Sequence, residues 1–289
     1  MSEWCAVGII PGYRDGGTLL KLPFDLGAGV SLQPVPGWVS GDRGSELALI
    51  RKYFADSLGA RDAQWRGDTP RSIQDAVDTQ LALAGLAAWL AKPTRLFADQ
   101  VMHFETPGEG SSLRRSVDGQ SIALHPYDQD NRLEMPDLEL ARLLFSRMGQ
   151  LPGDGAVGAA LRATCAALRE PAWGTRFVLL WVALEALFGS AAPQEAAYRM
   201  AQRAALFVAE SRALRRQVFD AVLGSYWARC RAVHGTRLTG LDAAESCDLS
   251  YQAQEWLRSA LGRILQDAAL TAKVDGRERE AFLDTGLFD

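Results

Sequence analysis

Four residues in the second half of the chain could carry acid–base or phosphate chemistry: Glu185, Arg229, Arg231 and His234. The richest string is Tyr226-Trp-Ala-Arg229-Cys-Arg231-Ala-Val-His234-Gly235. Gly235 is a natural residue to follow a helix end, which predicts His234 at the C-terminal cap. The helix dipole there favours imidazolium, so the histidine pKa moves upward, toward working pH. Arg229 stands five residues earlier, ~7.5 Å along an ideal axis, close enough for both side chains to meet one phosphodiester. Five residues also turn through ~500°, so the two do not share a face of an unbroken helix. Either the last turn loosens at Gly235 or both groups point into a wide cleft. Arg231 shares the face of His234 better and rivals Arg229 on geometry alone. Glu185 lies at the edge of an apolar stripe centred on Phe177, Trp181, Leu184 and Phe188, ~80° from Phe177 by helical count. A carboxylate at the rim of a buried face calls for a cation, because losing water unpaired is costly. Arg229 and Arg231 are the candidates.

Other chemistries find less support. Cys5, Cys165, Cys230 and Cys247 are scattered, and the histidines are only His103, His125 and His234. Neither a zinc site nor a disulfide framework is expected from that spacing, and no cofactor is called for. His103 reads as a half-buried strand residue and His125 as a turn residue. Pro11-Gly12 and Gly16-Gly17 are too irregular for a phosphate-cradling loop. The net charge is −4, so no overall positive field draws the molecule onto nucleic acid or anionic membrane. Yet only four basic residues are lysine (Lys21, Lys52, Lys92, Lys273), and residues 199–237 hold eight arginines against Glu210 and Asp220. Arginine offers planar forks suited to phosphate. The longest apolar run, Phe177 to Leu184, is far short of the ~20 residues that span a bilayer. Met-Ser-Glu-Trp-Cys lacks a basic stretch leading into an apolar core, so a cytoplasmic chain with reduced thiols is expected.

The elements that must position these residues fall into two blocks. Residues 1–135 read as a small α+β domain. Gly and Pro punctuate short apolar pieces such as Ala6–Ile10 and Gly29–Leu32, which favours strands. Ser45 starts an expected helix through Leu47, Ile50, Tyr53, Phe54 and Leu58. Thr69-Pro70 opens a second helix along Ile73, Val77, Leu81, Ala84 and Ala88, ended by Pro93. Leu96–Phe104, Leu113–Val117 and Ser121–Leu124 read as strands, with Asp118-Gly119 as a hairpin turn. The polar stretch Asp128–Pro136 reads as a linker. Residues 136–289 read as an all-helical bundle, with helices over Leu138–Met148, Ala156–Leu168, Thr175–Phe188, Gln194–Ser211, Leu214–Val233 and Asp242–Leu270. In the last, Leu249, Trp256, Leu257, Leu261, Ile264 and Leu265 are expected to face inward.

Three pieces of the second block, in order, resemble a HEPN domain of the ApeA-like type: Phe177-Val-Leu-Leu-Trp-Val-Ala-Leu-Glu185-Ala-Leu-Phe-Gly189, then Tyr198-Arg-Met-Ala-Gln-Arg203-Ala-Ala-Leu-Phe, then the Arg229-to-Gly235 string. The resemblance covers about residues 155–270. It implies a helical bundle that forms a homodimer with two Arg-x4-His elements facing each other. It further implies a metal-independent endoribonuclease of toxin or anti-phage defence systems, acting by 2′-OH transesterification, with a possible antitoxin partner or trigger. Arg229 and His234 carry over as the catalytic pair and Glu185 as the acidic residue of the core helix. On this reading Arg199, Arg203 and Arg231 meet the RNA backbone, and residues 1–135 serve as a sensor or regulator. Cys230 stands where active members commonly carry Asn, Asp or His, which favours a second reading: an inactive RNA- or nucleotide-binding or dimerisation module of the same fold.

Overall fold

The computed structural model describes residues 3–14, 21–39, 46–54, 73–94, 96–105, 107–108, 111–118, 133–190, 195–209, 211–233 and 243–285. The chain divides into two compact units, Met1–Gly153 and Asp154–Asp289. The first contains an antiparallel sheet with two helices among its described residues, and the second is helical.

In the first unit, β1 (Glu3–Arg14), β2 (Phe24–Gly27), β3 (Val30–Pro34), β4 (Glu46–Phe54), β5 (Gln100–Glu105) and β6 (Ser112–Asp118) pair in the order β2-β3-β4-β1-β5-β6. The pleat splits the side chains between two faces. Cys5, Val7, Ile9, Ala48, Ile50, Met102 and Phe104 pack on one face with Val35, Trp38 and Val39. Burial pushes the Cys5 thiol up to about 12, which keeps it a neutral thiol among the apolar side chains it packs with. Helix α1 (Ile73–Ala91) is buried along nearly its whole length, from Ala76 to Leu90. A Cβ on Gly8 would lie 2.8 Å from Ala98 Cβ and 3.5 Å from Leu81 Cδ1 of α1, so glycine at this point of β1 permits the close approach.

Residues 46–54 are a strand, not the expected helix. The apolar run Leu47–Ile50 is buried between β1 and β3, and a short continuous apolar run fits either period. Thr69-Pro70, Asp128–Asn131, Ser121–Leu124 and His125 lie outside the described residues, as does Gly119 of the expected Asp118-Gly119 turn. Helix α2 (Met135–Met148) packs on α1 and β2, so the expected division at 135/136 moves to Gly153/Asp154. Its Leu138, Ala141, Leu144, Phe145 and Met148 are buried. That is an amphipathic stripe which serves a sheet as well as a bundle, so periodicity alone does not assign it.

His103 is a strand residue, as expected, but it is fully buried. Its Nδ1 lies 2.8 Å from the Tyr53 hydroxyl and its Nε2 lies 2.8 Å from Asp78 Oδ1 of α1. Across β1, His103 pairs with Ala6 and Tyr53 with Trp4, so the Tyr53–His103 contact runs diagonally over the strand. Both ring nitrogens are satisfied, so the histidine ties three elements together. His103→Ala is expected to cost ~2–4 kcal/mol, from two lost buried bonds plus the cavity. Urea unfolding measures this, and a change below ~0.5 kcal/mol would contradict the structural role.

The second unit comprises α3 (Ala156–Arg169), α4 (Trp173–Phe188), α5 (Ala196–Val208), α6 (Arg212–Val233), α7 (Ala243–Gln266), α8 (Ala268–Val274) and α9 (Arg279–Thr285). The expected inward stripe of α4 is in place: Phe177, Trp181, Leu184 and Phe188 are all buried. The expected helix to Leu270 breaks at Asp267, whose carboxylate accepts from the Ala269 and Leu270 amides and caps α8. Leu249 is half-buried, while Trp256, Leu257, Leu261, Ile264 and Leu265 are in the core. Helix α9 was not anticipated.

Candidate functional site

The site is built where α4 and α6 lie side by side. Helix α6 buries only Val222, Ser225 and Ala228, and these small residues bring its backbone near α4. Two rungs join the helices. Trp181 Nε1 donates to Ser225 Oγ at 3.3 Å. One turn further along both chains, Arg229 Nη2 lies 2.9 Å from Glu185 Oε1 and 3.1 Å from Oε2. Successive rungs displaced by four residues in the same sense mean that α4 and α6 run in the same direction here. The Tyr226 ring stands edge-on to Trp181 (5.7 Å, 78°) and to Trp227 (5.5 Å, 86°). Burial raises the Tyr226 phenol above its ordinary value; neighbouring Cys230 adds to the rise and Arg229 opposes it.

The cation needed by Glu185 is therefore Arg229. The carboxylate side chain is 35% exposed and the arginine 23%, so water still screens the pair and it is worth far less than a dry one. Arg229 Nε is buried and has no hydrogen-bond partner among the described residues. The carboxylate thus holds the guanidinium through Nη2, while Nε is turned away from solvent. Arg231 is exposed on the last turn of α6. His234 lies outside the described residues.

Glu185 and Tyr226 also line a cleft of about 640 Å³. Asp154, Glu280 and Arg279 face the same space. Arg279 donates from Nη2 to the Ala186 carbonyl at 2.6 Å, and its burial pulls the pKa down. Three carboxylates against one engaged arginine make the cleft unsuited to a phosphate chain.

The remaining expected RNA contacts fall differently. Arg203 is fully buried. It donates from Nε to Asp284 at 2.8 Å and from Nη1 to the Phe188 and Gly189 carbonyls at 3.2 and 2.9 Å. It therefore closes the C-terminal end of α4 and presents no fork to a strand, which corrects its expected role. Arg199 pairs with Asp284 at 3.6 Å and is partly exposed. Arg216 pairs with Asp220 on the surface, and Arg215 donates to the Ala209 carbonyl. The basic tract is thus partly spent inside the unit. Gly189 is required at this end: its amide donates to the Glu185 carbonyl at 2.8 Å, and a Cβ would collide with that oxygen. Sequence reasoning missed Arg279, Glu280 and Asp284 because its last expected helix ends at Leu270. The pair Phe282-Leu283, with Leu283 buried, was the available signal.

Among the described residues no three histidine, cysteine or acidic side chains converge to hold a metal ion, and no helix is long and apolar enough to cross a membrane. No protein-family model, curated protein or solved structure matches the chain.

Arg203→Met is expected to destabilise the protein by ~3–5 kcal/mol, since it removes the Asp284 bond and leaves two helix-end carbonyls without their donor. Arg203→Lys, lacking the fork, is expected to recover less than half. Denaturant titration reads both, and a loss under ~1 kcal/mol for the methionine variant would contradict this assignment.

Proposed function

We propose that residues 154–289 form a HEPN-like unit that cleaves RNA without a metal, as a homodimer in the cytoplasm, in a toxin or anti-phage defence setting. The observation that carries this reading is the Glu185–Arg229 bond between α4 and α6, which joins two of the three residues that the resemblance assigns to the site. In the reaction, His234 removes the proton from the ribose 2′-hydroxyl. O2′ then attacks phosphorus, the P–O5′ bond breaks, and the 5′-oxygen takes up a proton, leaving a 2′,3′-cyclic phosphate. Proton transfer of this kind contributes ~10²–10⁴-fold. Arg229 holds the non-bridging oxygens as charge builds on them. Glu185 positions Arg229. Val182 of α4 and Trp227 and Val233 of α6 are apolar side chains left 43–56% exposed, and cover by a second copy would take such side chains out of water.

A second reading is a binding or dimerisation module without catalysis. Its support is specific: both oxygens of Glu185 face Arg229 Nη2, and the next residue, Cys230, is only a weak hydrogen-bonding group.

The discriminating assay is RNA incubated with the purified protein in EDTA, alongside His234→Ala and Arg229→Ala. Cleavage that falls at least ~100-fold in both variants is expected, with DNA inert. Unchanged cleavage in both variants, or a strict need for Mg²⁺, would overturn the nuclease reading. RNA retained on a filter but left intact would favour the second.

A further inference from the structure

The first unit holds a groove of about 970 Å³ between α1, α2 and the β2–β3 turn, independent of the site above. Its walls are apolar, from Leu26, Leu83 and Phe145, each under 8% exposed. Gln80 of α1 lines the groove and is 5% exposed. Its Oε1 is buried without a hydrogen-bond partner among the described residues. A buried, unanswered amide oxygen is destabilising, and native proteins rarely keep one without cause. The rim is polar. Ser146 is exposed there, and Arg142 lies bonded to Glu139, with its guanidinium 5.6 Å from the Phe24 ring centre. The turn that closes one side holds Ala28 in the left-handed region (φ 49°), a conformation uncommon outside glycine.

We propose that this groove binds a nucleobase or nucleoside, with the base edge on Gln80. The amide oxygen needs an N–H donor, and the flanking leucines and phenylalanine need a flat apolar ring around that donor. A base edge supplies both, in the manner that glutamine reads adenine. The rim then meets the ribose: the Ser146 hydroxyl and the paired Arg142 and Glu139 offer donors and acceptors without a net charge. A free phosphate gains nothing, since Glu139 already neutralises Arg142. The volume fits, because ligand pockets of ~300–1,000 Å³ hold molecules of this size.

The test is the melting temperature of the full-length protein with adenosine, guanosine, uridine or cytidine. Calorimetry follows on any nucleoside that responds. At a concentration about 100-fold above its Kd, a bound nucleoside is expected to raise Tm by several degrees. Gln80→Leu is expected to weaken binding at least ~10-fold while leaving the ligand-free Tm unchanged or higher, which separates lost recognition from lost folding. Ser146→Trp, at an exposed position, is expected to block the groove and abolish the shift. No shift with any of the four nucleosides would overturn the proposal, as would undiminished affinity in Gln80→Leu.

Discussion

Helix α4 carries one carboxylate, Glu185, beside a face that is otherwise apolar, and the second unit is arranged so that Arg229 answers it. Leaving that carboxylate half out of water and unpaired would cost more than the helix contact returns. The small residues Ser225 and Ala228 let α6 come near enough for the arginine to reach, and the Trp181–Ser225 bond sets the register one turn earlier. Shifting α6 by one residue would turn Arg229 away by ~100° and put a different side chain against Glu185. The same pairing fixes the guanidinium on the helix that leads to His234. The need of the α4 carboxylate for a cation and the placement of a guanidinium on α6 are thus met by one interaction.

Arginine does a second job in this unit. The last turn of α4 leaves carbonyls without amide partners, as every helix end does. Arg203 and Arg279 reach those of Ala186, Phe188 and Gly189 from α5 and α9. Asp284 then holds Arg203 from the far side. A tract that counts as strongly basic in sequence therefore presents a much weaker field to solvent, since part of its charge closes a helix and part is paired. The basic group at the candidate site, Arg229 of α6, is held by Glu185, which also lines the acidic cleft.

Legibility in the sequence followed physical cause. Helices α3 to α7 were readable because amphipathic periods of three and four residues run long enough to exclude a strand. The pairing of Glu185 was readable as a need, with Arg229 and Arg231 as the candidates. Three things were not. Leu47–Ile50 is apolar at every position, so its period carries no information, and only the neighbouring strands make it β4. The stripe of α2 shows that it must pack, but not on what. Arg203 looks like any surface arginine on a helix, and its burial depends on Asp284, which lies eighty-one residues further on. Local pattern encodes which face is buried. It does not encode the distant partner that makes burial of a charge tolerable.

The central claim is that Glu185 acts through Arg229, and a double-mutant cycle on the RNA cleavage rate tests it most directly. Glu185→Gln alone is expected to slow cleavage ~10-fold, about 1.4 kcal/mol of lost positioning. In an Arg229→Ala background the same change is expected to slow the residual rate no further. Equal effects of Glu185→Gln in both backgrounds would contradict the account.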